Sequence, residues 1–397
     1  MARSKGGCGC AVAVLVVFLG AAAFVGYKYV LPWWQKKAPP PSGKELQVHV
    51  LDVGQGDAIL IVSPEGKVAL VDAGDEKSGK MVVAALKGYK VDHIDYFVAT
   101  HTHPDHIGGA SEVFSNFKVA NVIWNDFAPP EATPTPEVTA NKPGDKKQGK
   151  SQARAQPKVP TQHGKVVKFP TVQAFDNFKG AVEQGGIELK KAEPDQKIDL
   201  GGGAILTVLA PVPPPFTREQ AVASRDGNES NANSIVLRLD YGDFSMLLTG
   251  DAETQTEERL VSREANLAVT LLKVAHHGSK YATSEGFLKR VFRSDSTQPK
   301  AAIISDGEFN RYGHPSQDVL NRLKAAGVTQ LYRTDLQGEI TITTTGKLKE
   351  GKLYEIKAAK EAKSDLWTGR EGTQDDSSRS GFISYGDFGP PPRQKKK

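Results

Sequence analysis

Short runs of apolar, often β-branched residues alternate with glycine, proline and aspartate over residues 45–74, in ELQVHVLDVGQGDAILIVSPEGKVALVDAG. Such runs, separated by turn residues, predict three β-strands in succession. The next segment, GKMVVAALKGYKV, places Val82, Val83 and Leu86 at helical spacing, with a basic polar face. HIDYFVAT follows as another short apolar strand. This strand–helix–strand order favours a layered α/β domain.

The pattern breaks off and then returns in the second half of the chain. Residues 128–160 are rich in Pro, Thr, Lys and Gln and predict a disordered basic insertion in a loop. Strands are then predicted in IVLRLDYG, FSMLLTGDAE and LAVTLLKVAHHGS. AAIISDGEFNRYGHPSQDVLNRLKAAGV predicts a strand, a loop and a helix with Ser316 as its N-cap. LYRTDLQGEITITTTG predicts a closing hairpin, and residues 364–397 predict a disordered tail.

The N-terminus has the pattern of a membrane segment. Two basic residues precede an uncharged, apolar run over residues 6–27, which is about long enough to span a bilayer as a helix. We therefore expect a cytoplasmic stub and transmembrane anchor over residues 1–34, a proline-rich linker over residues 35–45, and an exported remainder. The alternative is a signal peptide cleaved after its small residues, which would give a secreted protein.

Charge and cysteine usage narrow the chemistry. The net charge is +5, and residues 128–168 alone carry eight Lys/Arg against three Asp/Glu, which is also +5. The remainder is near neutral, so composition does not indicate a strongly basic nucleic-acid-binding surface. Cys8 and Cys10 are the only cysteines, and both lie near the start of the apolar run. Any metal site in the main domain must therefore use His, Asp or Glu.

The segment YFVATHTHPDHIGG crowds four groups that can bind a metal behind one predicted strand. Alternate side chains of an extended segment share a face, so His101 and His103 can point toward one ion. Asp105 and His106 follow a proline that bends the chain, and they can reach a second ion beside it. Imidazole and carboxylate without sulfur suit zinc, manganese or iron.

Acidic or imidazole groups also end three other predicted strands. These groups are Asp72 in ALVDAG, Asp251 in LLTGDAE, and His276 and His277 in KVAHHGS. Strand ends on one edge of an α/β sheet converge, so these side chains can meet the histidine segment around the ions.

THTHPDHIGG resembles the HxHxDH signature of the metallo-β-lactamase superfamily, and Asp72, Asp251 and His277 lie where the other motifs of that superfamily would. More narrowly, LDVGQGDAILI, SNANSIVLRLDYGDFSMLLTGD, HHGS, NRYGHPS and YRTDLQGEI resemble the C-terminal extracytoplasmic domain of ComEC-type DNA-uptake proteins. The resemblance implies an α/β fold, a four-layer αββα sandwich over residues 46–363, with the metal site at one edge.

The same resemblance implies a ligand set for one or two divalent ions, Zn²⁺ or Mn²⁺. The implied ligands are His101, His103, Asp105, His106, Asp251 and His277. The two histidines named first would hold one ion. The Asp-His pair and the last histidine would hold the other, and Asp251 would bridge both.

The resemblance also implies supporting roles. Asp72 would orient the histidine loop, and His276 would be a neighbouring group or proton donor, although it could exchange roles with His277. Many members of the superfamily supply a further histidine from the loop before the bridging aspartate. Here that loop reads GNESNANS, so Asn231 or Asn233 would take the place of that histidine.

The expected function is hydrolysis of a phosphodiester in DNA by a hydroxide that the ions activate. Asp105 would orient it, His276 and His314 are candidates to protonate the leaving group, and Ser279 could donate a hydrogen bond to the substrate. His314 could equally pack its loop or cap a helix. Nucleic acid would be the substrate, and the membrane and separate DNA-uptake or envelope proteins would be partners. The alternatives are a lactone, thioester or β-lactam hydrolase, or a non-catalytic nucleic-acid-binding module.

Overall fold

A computed structural model of the chain describes residues 44–129, 161–162, 165–166, 170–223, 229–292 and 298–370. The predicted anchor over residues 1–34, nearly all of the predicted insertion and the predicted tail beyond residue 370 lie outside these residues. Within the described ranges, no helix is long and apolar enough to cross a membrane.

The first sheet has eight strands. In spatial order they are β17 (Glu355–Ala358), β16 (Ile340–Thr344), β1 (Leu46–Val50), β2 (Ile59–Val62), β3 (Val68–Val71), β4 (His93–Ala99), β5 (Lys118–Trp124) and β8 (Leu189–Lys191). The predicted strands β1 to β4 are confirmed. β1 to β3 are antiparallel, whereas β3, β4, β5 and β8 run parallel. The parallel strands therefore end at the same edge.

The second sheet has seven strands. They are β15 (Gln330–Arg333), β14 (Ala301–Ile304), β13 (Leu271–Lys273), β12 (Phe244–Leu248), β11 (Val236–Tyr241), β10 (Ala204–Ala210) and β9 (Lys197–Asp199). β12 to β15 are parallel, so they too share one carboxyl edge. A separate two-stranded pair consists of β6 (Thr161–Gln162) and β7 (Lys165–Val166).

Some helices cover the outer faces of both sheets, and others lie in the loops between strands. They are α1 (Gly79–Gly88), α2 (Pro104–Ile107), α3 (Ala110–Asn116), α4 (Pro170–Gln184), α5 (Arg218–Ala223), α6 (Glu229–Ala232), α7 (Thr254–Ser262), α8 (Glu285–Val291), α9 (Gln317–Ala325) and α10 (Thr334–Gln337). In α1 the predicted apolar face, Val82, Val83 and Leu86, is buried. Ser316 caps α9 as predicted, because its hydroxyl oxygen accepts a hydrogen bond from the Val319 amide.

Three apolar clusters give the molecule its layers. The central one lies between the sheets and joins Val48 and Ile61 of the first to Leu206 and Leu237 of the second. The other two pack the outer face of each sheet against its helices. The predicted four-layer αββα sandwich is therefore confirmed for the described residues. Central strands such as β3, β12 and β14 are buried along their whole length, because alternate side chains enter the central cluster and an outer one.

The predicted closing hairpin is wrong. β15 belongs to the second sheet and β16 to the first, and α10 lies between them. The buried Arg333 side chain pairs with Asp335 at 2.7 Å and fixes this short helix, which carries the chain from one sheet to the other. Two adjacent β-patterned runs do not reveal to which sheet each belongs.

The predicted disordered tail begins too early. Leu366 and Trp367 pack against the cluster on the outer face of the second sheet. Arg333 donates to the carbonyl oxygens of Leu366 and Thr368 at 3.1 and 2.6 Å, and Arg370 donates to Asp335 at 2.7 Å. Ordered structure thus continues to residue 370, because a buried guanidinium binds carbonyl groups of this polar segment.

Candidate metal centre

The loop after β4 is held by a buried carboxylate from the neighbouring strand. Asp72 follows β3, which is parallel to β4, so it lies beside the start of the histidine loop. Its two oxygens accept hydrogen bonds from the Thr100 amide at 2.8 Å, the Thr100 hydroxyl at 2.6 Å and His106 Nδ1 at 2.7 Å. Asp72 thereby orients the His106 ring through its outer nitrogen.

Gly56 allows the loop between β1 and β2 to pack closely against the Asp105 backbone. A Cβ atom at Gly56 would lie 2.1 Å from the Asp105 carbonyl oxygen, and the φ of Gly56 is +127°. The same carbonyl accepts a hydrogen bond from the Asp57 amide at 3.2 Å. The β1–β2 loop therefore holds the backbone of the short helix α2 in place. The Asp105 and His106 side chains face His277 and Asp251 of the second sheet.

The second sheet contributes its groups from two turns. Asp251 follows β12, and the preceding Gly250 carbonyl accepts a hydrogen bond from the His276 amide at 3.0 Å. His276 and His277 lie in a tight turn with φ of 48° and 53°. Left-handed backbone is costly for side chains other than glycine, and such strain concentrates at functional sites. The turn separates the two rings, whose centroids are 6.1 Å apart.

One group of potential ligands comprises Asp105, His106, Asp251 and His277. His106 Nε2 lies 3.3 Å from His277 Nε2 and 3.3 Å from Asp251 Oδ2. His277 Nε2 lies 3.4 Å from Asp251 Oδ1 and 3.5 Å from Asp105 Oδ2. Four donor atoms from both sheets therefore face one small buried space.

A second group comprises His101, His103 and Asp251, so Asp251 is common to both. His101 Nε2 lies 3.7 Å from Asp251 Oδ2, and the His101 and His103 rings are 4.6 Å apart. The structure thus brings together all six residues predicted as ligands, in two groups joined by one carboxylate.

The hydrogen bonds of two rings show that these groups fit a cation. His277 Nδ1 contacts the Ser305 carbonyl at 2.9 Å, and a carbonyl can only accept, so Nδ1 carries the proton. His106 Nδ1 likewise contacts the Asp72 carboxylate. Both neutral rings would therefore aim Nε2 lone pairs at each other across 3.3 Å. Such an arrangement is unfavourable unless a cation lies between them.

Buried polar atoms without hydrogen-bond partners also indicate that the site fits a cation. Within the described residues, His101 Nε2, Asp251 Oδ1 and Asn231 Oδ1 are buried and have no hydrogen-bond partner. Buried polar atoms are rarely unpaired. All three are potential ligand atoms, so the residues present fit the divalent ions that the sequence predicts.

The site attracts positive charge strongly. Burial lowers the pKa of His277, but the carboxylates of Asp251 and Asp105 outweigh it and raise the pKa to about 10. Burial is likewise outweighed at His106, where Asp251, Asp72 and Asp105 hold the pKa well above its usual value. Without an ion, a proton would therefore occupy the space between these rings.

The two candidate asparagines have different surroundings. Asn231 lies at the site: its Nδ2 is 3.3 Å from Glu253 Oε1 and 3.3 Å from His276 Nε2. Asn233 holds the adjacent loop instead, donating to the Phe216 and Glu229 carbonyls at 2.9 and 2.8 Å. Of the two asparagines, Asn231 is therefore the one whose side chain contacts His276 at the site.

The predicted proton-transfer residues are neighbours. The His276 ring is 5.5 Å from the His314 ring, and His276 Nδ1 is 3.5 Å from Glu253 Oε1. Burial lowers the pKa of His276 to about 4 and that of His314 well below its usual value. Ser279 is buried in the same turn, and its hydroxyl oxygen accepts a long hydrogen bond from the Tyr281 amide at 3.4 Å.

Sequence reasoning missed a buried ion pair beneath the site. Lys273 at the end of β13 forms a short hydrogen bond to Asp57 in the β1–β2 loop, and both side chains are buried. Asp57 Oδ1 lies 3.7 Å from His277 Nδ1, and Lys273 Nζ lies 3.5 Å from the Gly250 carbonyl oxygen. The pair thus joins the two sheets. It contacts His277 and the residue before Asp251, and the Asp57 amide also binds the Asp105 carbonyl. A lysine inside the apolar run LLKVA was its sequence signal.

Replacement of Asp72 by Asn should weaken metal binding about 10- to 100-fold, because the amide orients His106 without its negative charge. Isothermal titration with Mn²⁺ or Zn²⁺ measures the loss. Asp195→Asn is the matched control. Asp195 has a positive φ (65°), as Asp72 does (60°), but it lies on the surface. Equal affinity of the Asp72→Asn and parent proteins would contradict the orienting role.

Replacement of Lys273 by Met should lower the free energy of unfolding by about 3–5 kcal/mol, because it leaves the Asp57 carboxylate buried and unpaired. The double variant Asp57→Leu/Lys273→Met should recover most of that loss. Urea unfolding measures both. Lys190→Met, at a surface pair, serves as the control and should cost less than about 0.5 kcal/mol. A double variant as unstable as Lys273→Met would contradict the account.

Ion binding should strengthen as the pH rises. Without an ion, the charged His277 ring stabilises the fold, because its pKa of about 10 exceeds the ordinary 6.5. That contribution is complete below the ordinary pKa and is lost as the pH rises toward the raised one. A metal ion must displace this proton. Mn²⁺ should therefore raise the Tm more at about pH 8.5 than at about pH 6.5. An equal rise at both would contradict the competition.

Comparisons with known proteins agree with this geometry. Residues 51–190 match the Metallo-beta-lactamase superfamily. ComE operon protein 3 of Bacillus subtilis is 29% identical over 319 residues, which are 76% of this chain and 33% of that protein. Competence protein ComA of Neisseria gonorrhoeae is 39% identical over 119 residues, 30% of this chain and 16% of that protein. Recombination protein 2 of Haemophilus influenzae is 28% identical, covering 70% of this chain and 26% of that protein.

The chain thus corresponds to about a third or less of each of these relatives. Among solved structures, Rm3 metallo-beta-lactamase is 17% identical with a TM-score of 0.32, over 61% of this chain and 78% of that one. A likeness at that score adds nothing to the assignment. The sequence comparisons show that residues 51–190 match the Metallo-beta-lactamase superfamily, and that the chain is similar to parts of ComE operon protein 3, Competence protein ComA and Recombination protein 2.

Proposed function

We propose that the chain is a metal-dependent phosphodiesterase that cleaves DNA. The observation that carries the proposal is the pair of adjacent ligand groups that share Asp251. Two neighbouring divalent ions suit displacement at phosphorus, because they can stabilise both the attacking and the leaving oxygen. The names of two relatives, ComE operon protein 3 and Competence protein ComA, support a role in competence and hence in DNA handling.

The proposed division of labour follows from the contacts. His101 and His103 would hold one ion, and Asp105, His106 and His277 the other. Asp251 would bridge them. Bound ions would supply an activated water and positive charge for the phosphoryl group. The protein keeps this set rigid through carboxylate and carbonyl partners on the outer ring nitrogens.

His276 and His314 are proposed to relay protons. Burial keeps the pKa of His276 near 4 and that of His314 below its ordinary value, so both rings are neutral at neutral pH. A neutral imidazole donates from one nitrogen and accepts at the other. The two ring centroids are 5.5 Å apart. Either neutral ring is proposed to take up the proton that the attacking water loses and to return it to the leaving oxygen.

The ligand atoms favour manganese over zinc at the site that contains His101 and His103. Asn231 would offer an amide oxygen where related proteins offer imidazole, and Oδ1 of Asn231 is buried without a hydrogen-bond partner in the described part of the chain. Oxygen donors suit Mn²⁺ better than they suit Zn²⁺. We propose one or two ions, with the site containing Asp105 and His277 occupied first.

The N-terminal anchor belongs to this proposal as well. The apolar run over residues 6–27 would tether the domain to the outer side of the cell membrane, with DNA-uptake or envelope proteins as neighbours. Fractionation of cells that express the full chain, with protease added outside, tests this placement. Recovery of the domain in the cytosol, protected from the protease, would contradict it.

The proposed activity predicts hydrolysis of single-stranded DNA and of bis-p-nitrophenyl phosphate when the purified full chain is given Mn²⁺. Asp105→Ala and Asp251→Ala should each abolish turnover and lower the metal content, whereas deletion of residues 128–160 should leave turnover of the small substrate intact. Turnover assays paired with elemental analysis measure this.

The alternatives give different results in the same assays. Turnover of nitrocefin or a lactone alone would favour hydrolysis of another bond. DNA binding without turnover, retained by Asp105→Ala, would favour a non-catalytic module. Full activity of either carboxylate variant would mean that the roles are misassigned.

A further inference from the structure

Exposed aromatic rings concentrate in the two loops that carry His277 and His314. The described residues include six exposed large apolar side chains, and three of them, Tyr281, Phe309 and Tyr312, lie in the two loops beside the metal centre. Phe309 is 93% exposed and Tyr312 is 43% exposed. Single exposed apolar residues are ordinary, but three exposed rings in the two loops that carry site residues indicate a binding surface.

The two loops are in direct contact. The Ser316 amide donates to the Gly278 carbonyl at 2.9 Å, and a Cβ atom at Gly278, whose φ is +82°, would lie 2.5 Å from the Pro315 Cβ. Only glycine permits this approach. The residues that follow the His277 turn therefore lie alongside those that precede Pro315.

A series of rings leads from the ligands to the surface. The His276 ring is 6.1 Å from the His277 ring and 5.5 Å from the His314 ring. The His314 ring stacks on Tyr312 at 5.7 Å, with an interplanar angle of 24°. The exposed Tyr312 ring is therefore connected through the His314 and His276 rings to the candidate ligand His277.

Each loop also pairs a cation with its tyrosine. Lys280 Nζ lies 4.7 Å from the Tyr281 ring centre, and the Arg311 guanidinium carbon lies 5.0 Å from that of Tyr312. Each loop therefore places one cationic side chain beside one flat ring.

This combination matches the chemistry of an unpaired nucleotide. A base can stack on an exposed ring while its phosphate meets a cation, and neither contact depends on sequence. In a duplex the faces of the bases are already covered by their neighbours, so exposed rings have little to stack on. A surface of rings and cations distinguishes single strands from duplexes in this way.

We propose that Lys280, Tyr281, Phe309, Arg311 and Tyr312 form a stacking surface that holds unpaired nucleotides of a single strand beside the ions. The proposal rests on the phosphodiesterase function proposed above, and it names the form of nucleic acid that the site takes. His314 then lies between the bound strand and His276.

Fluorescence anisotropy with the full chain tests the surface. The probes are a fluorescein-labelled oligothymidylate and a labelled duplex of equal length. Both carry phosphorothioate linkages, which resist cleavage, so Mn²⁺ can be present. We expect the single strand to bind at least about tenfold more tightly. Tyr312→Leu and Phe309→Leu should each weaken its binding about tenfold, which is typical of one lost stacking contact.

Matched variants separate stacking from other effects. Tyr312→Phe keeps the ring and should retain most of the affinity, and Arg311→Gln should flatten the salt dependence of binding. Met81→Leu, at an exposed apolar position on α1, should change nothing. Unchanged Tm values confirm that the variants fold. Equal affinity of Tyr312→Leu and the parent, or tighter binding of the duplex, would overturn the inference.

A separate measurement keeps this inference distinct from the proposed function. Bis-p-nitrophenyl phosphate has no base to stack, so its hydrolysis by the parent tests the phosphodiesterase activity alone. Hydrolysis together with ring-independent DNA binding would refute the stacking surface only. Failure of hydrolysis with every divalent ion would refute the proposed function.

Discussion

The structure depends on one electrostatic constraint: buried lone pairs and carboxylates from both sheets face the same small space. His106 Nε2 and His277 Nε2 lie 3.3 Å apart, with Asp251 and Asp105 beside them. Neutral imidazoles and carboxylates repel one another in this arrangement unless a cation separates them. Without a metal ion, a proton between the rings can separate these groups, and bound divalent ions would do so in the active protein.

The rest of the fold at this edge acts to keep that arrangement in place. Asp72 and the Ser305 carbonyl each bind the outer nitrogen of one histidine. The Lys273–Asp57 pair holds the two sheets together directly beneath. Such a pair costs desolvation energy and is weak evidence for stability. Its contacts with three ligand-bearing segments explain it better as a means of positioning.

The surroundings of the site narrow what it can act on. In the proposed function, the paired ligand groups would hold a charged ester between two cations, and His276 and His314 would handle protons. The rings and cations of the two adjoining loops would hold flat, anionic nucleotides. The candidate ligands are mostly buried and the rings are exposed, so the proposed arrangement runs from the buried edge of the sheets to solvent.

Local sequence determined much of this protein. The strands β1 to β4, the helix α1 and the Ser316 cap follow from periodicity and turn chemistry. The candidate ligands are indicated by their positions at strand ends and by the resemblance of THTHPDHIGG to a known signature. These features depend on neighbours along the chain, and a sequence displays neighbours directly.

Tertiary structure decided what depends on distant residues. β15 and β16 look like a hairpin but enter different sheets, and residues 365–370 look like a tail but are bound by the buried Arg333. The choice of Asn231 over Asn233, and of His277 over His276 for the space shared with Asp105, rests on which way each side chain turns. Asp57 and Lys273 are 216 positions apart, so only the packing of one sheet on the other could reveal that they meet.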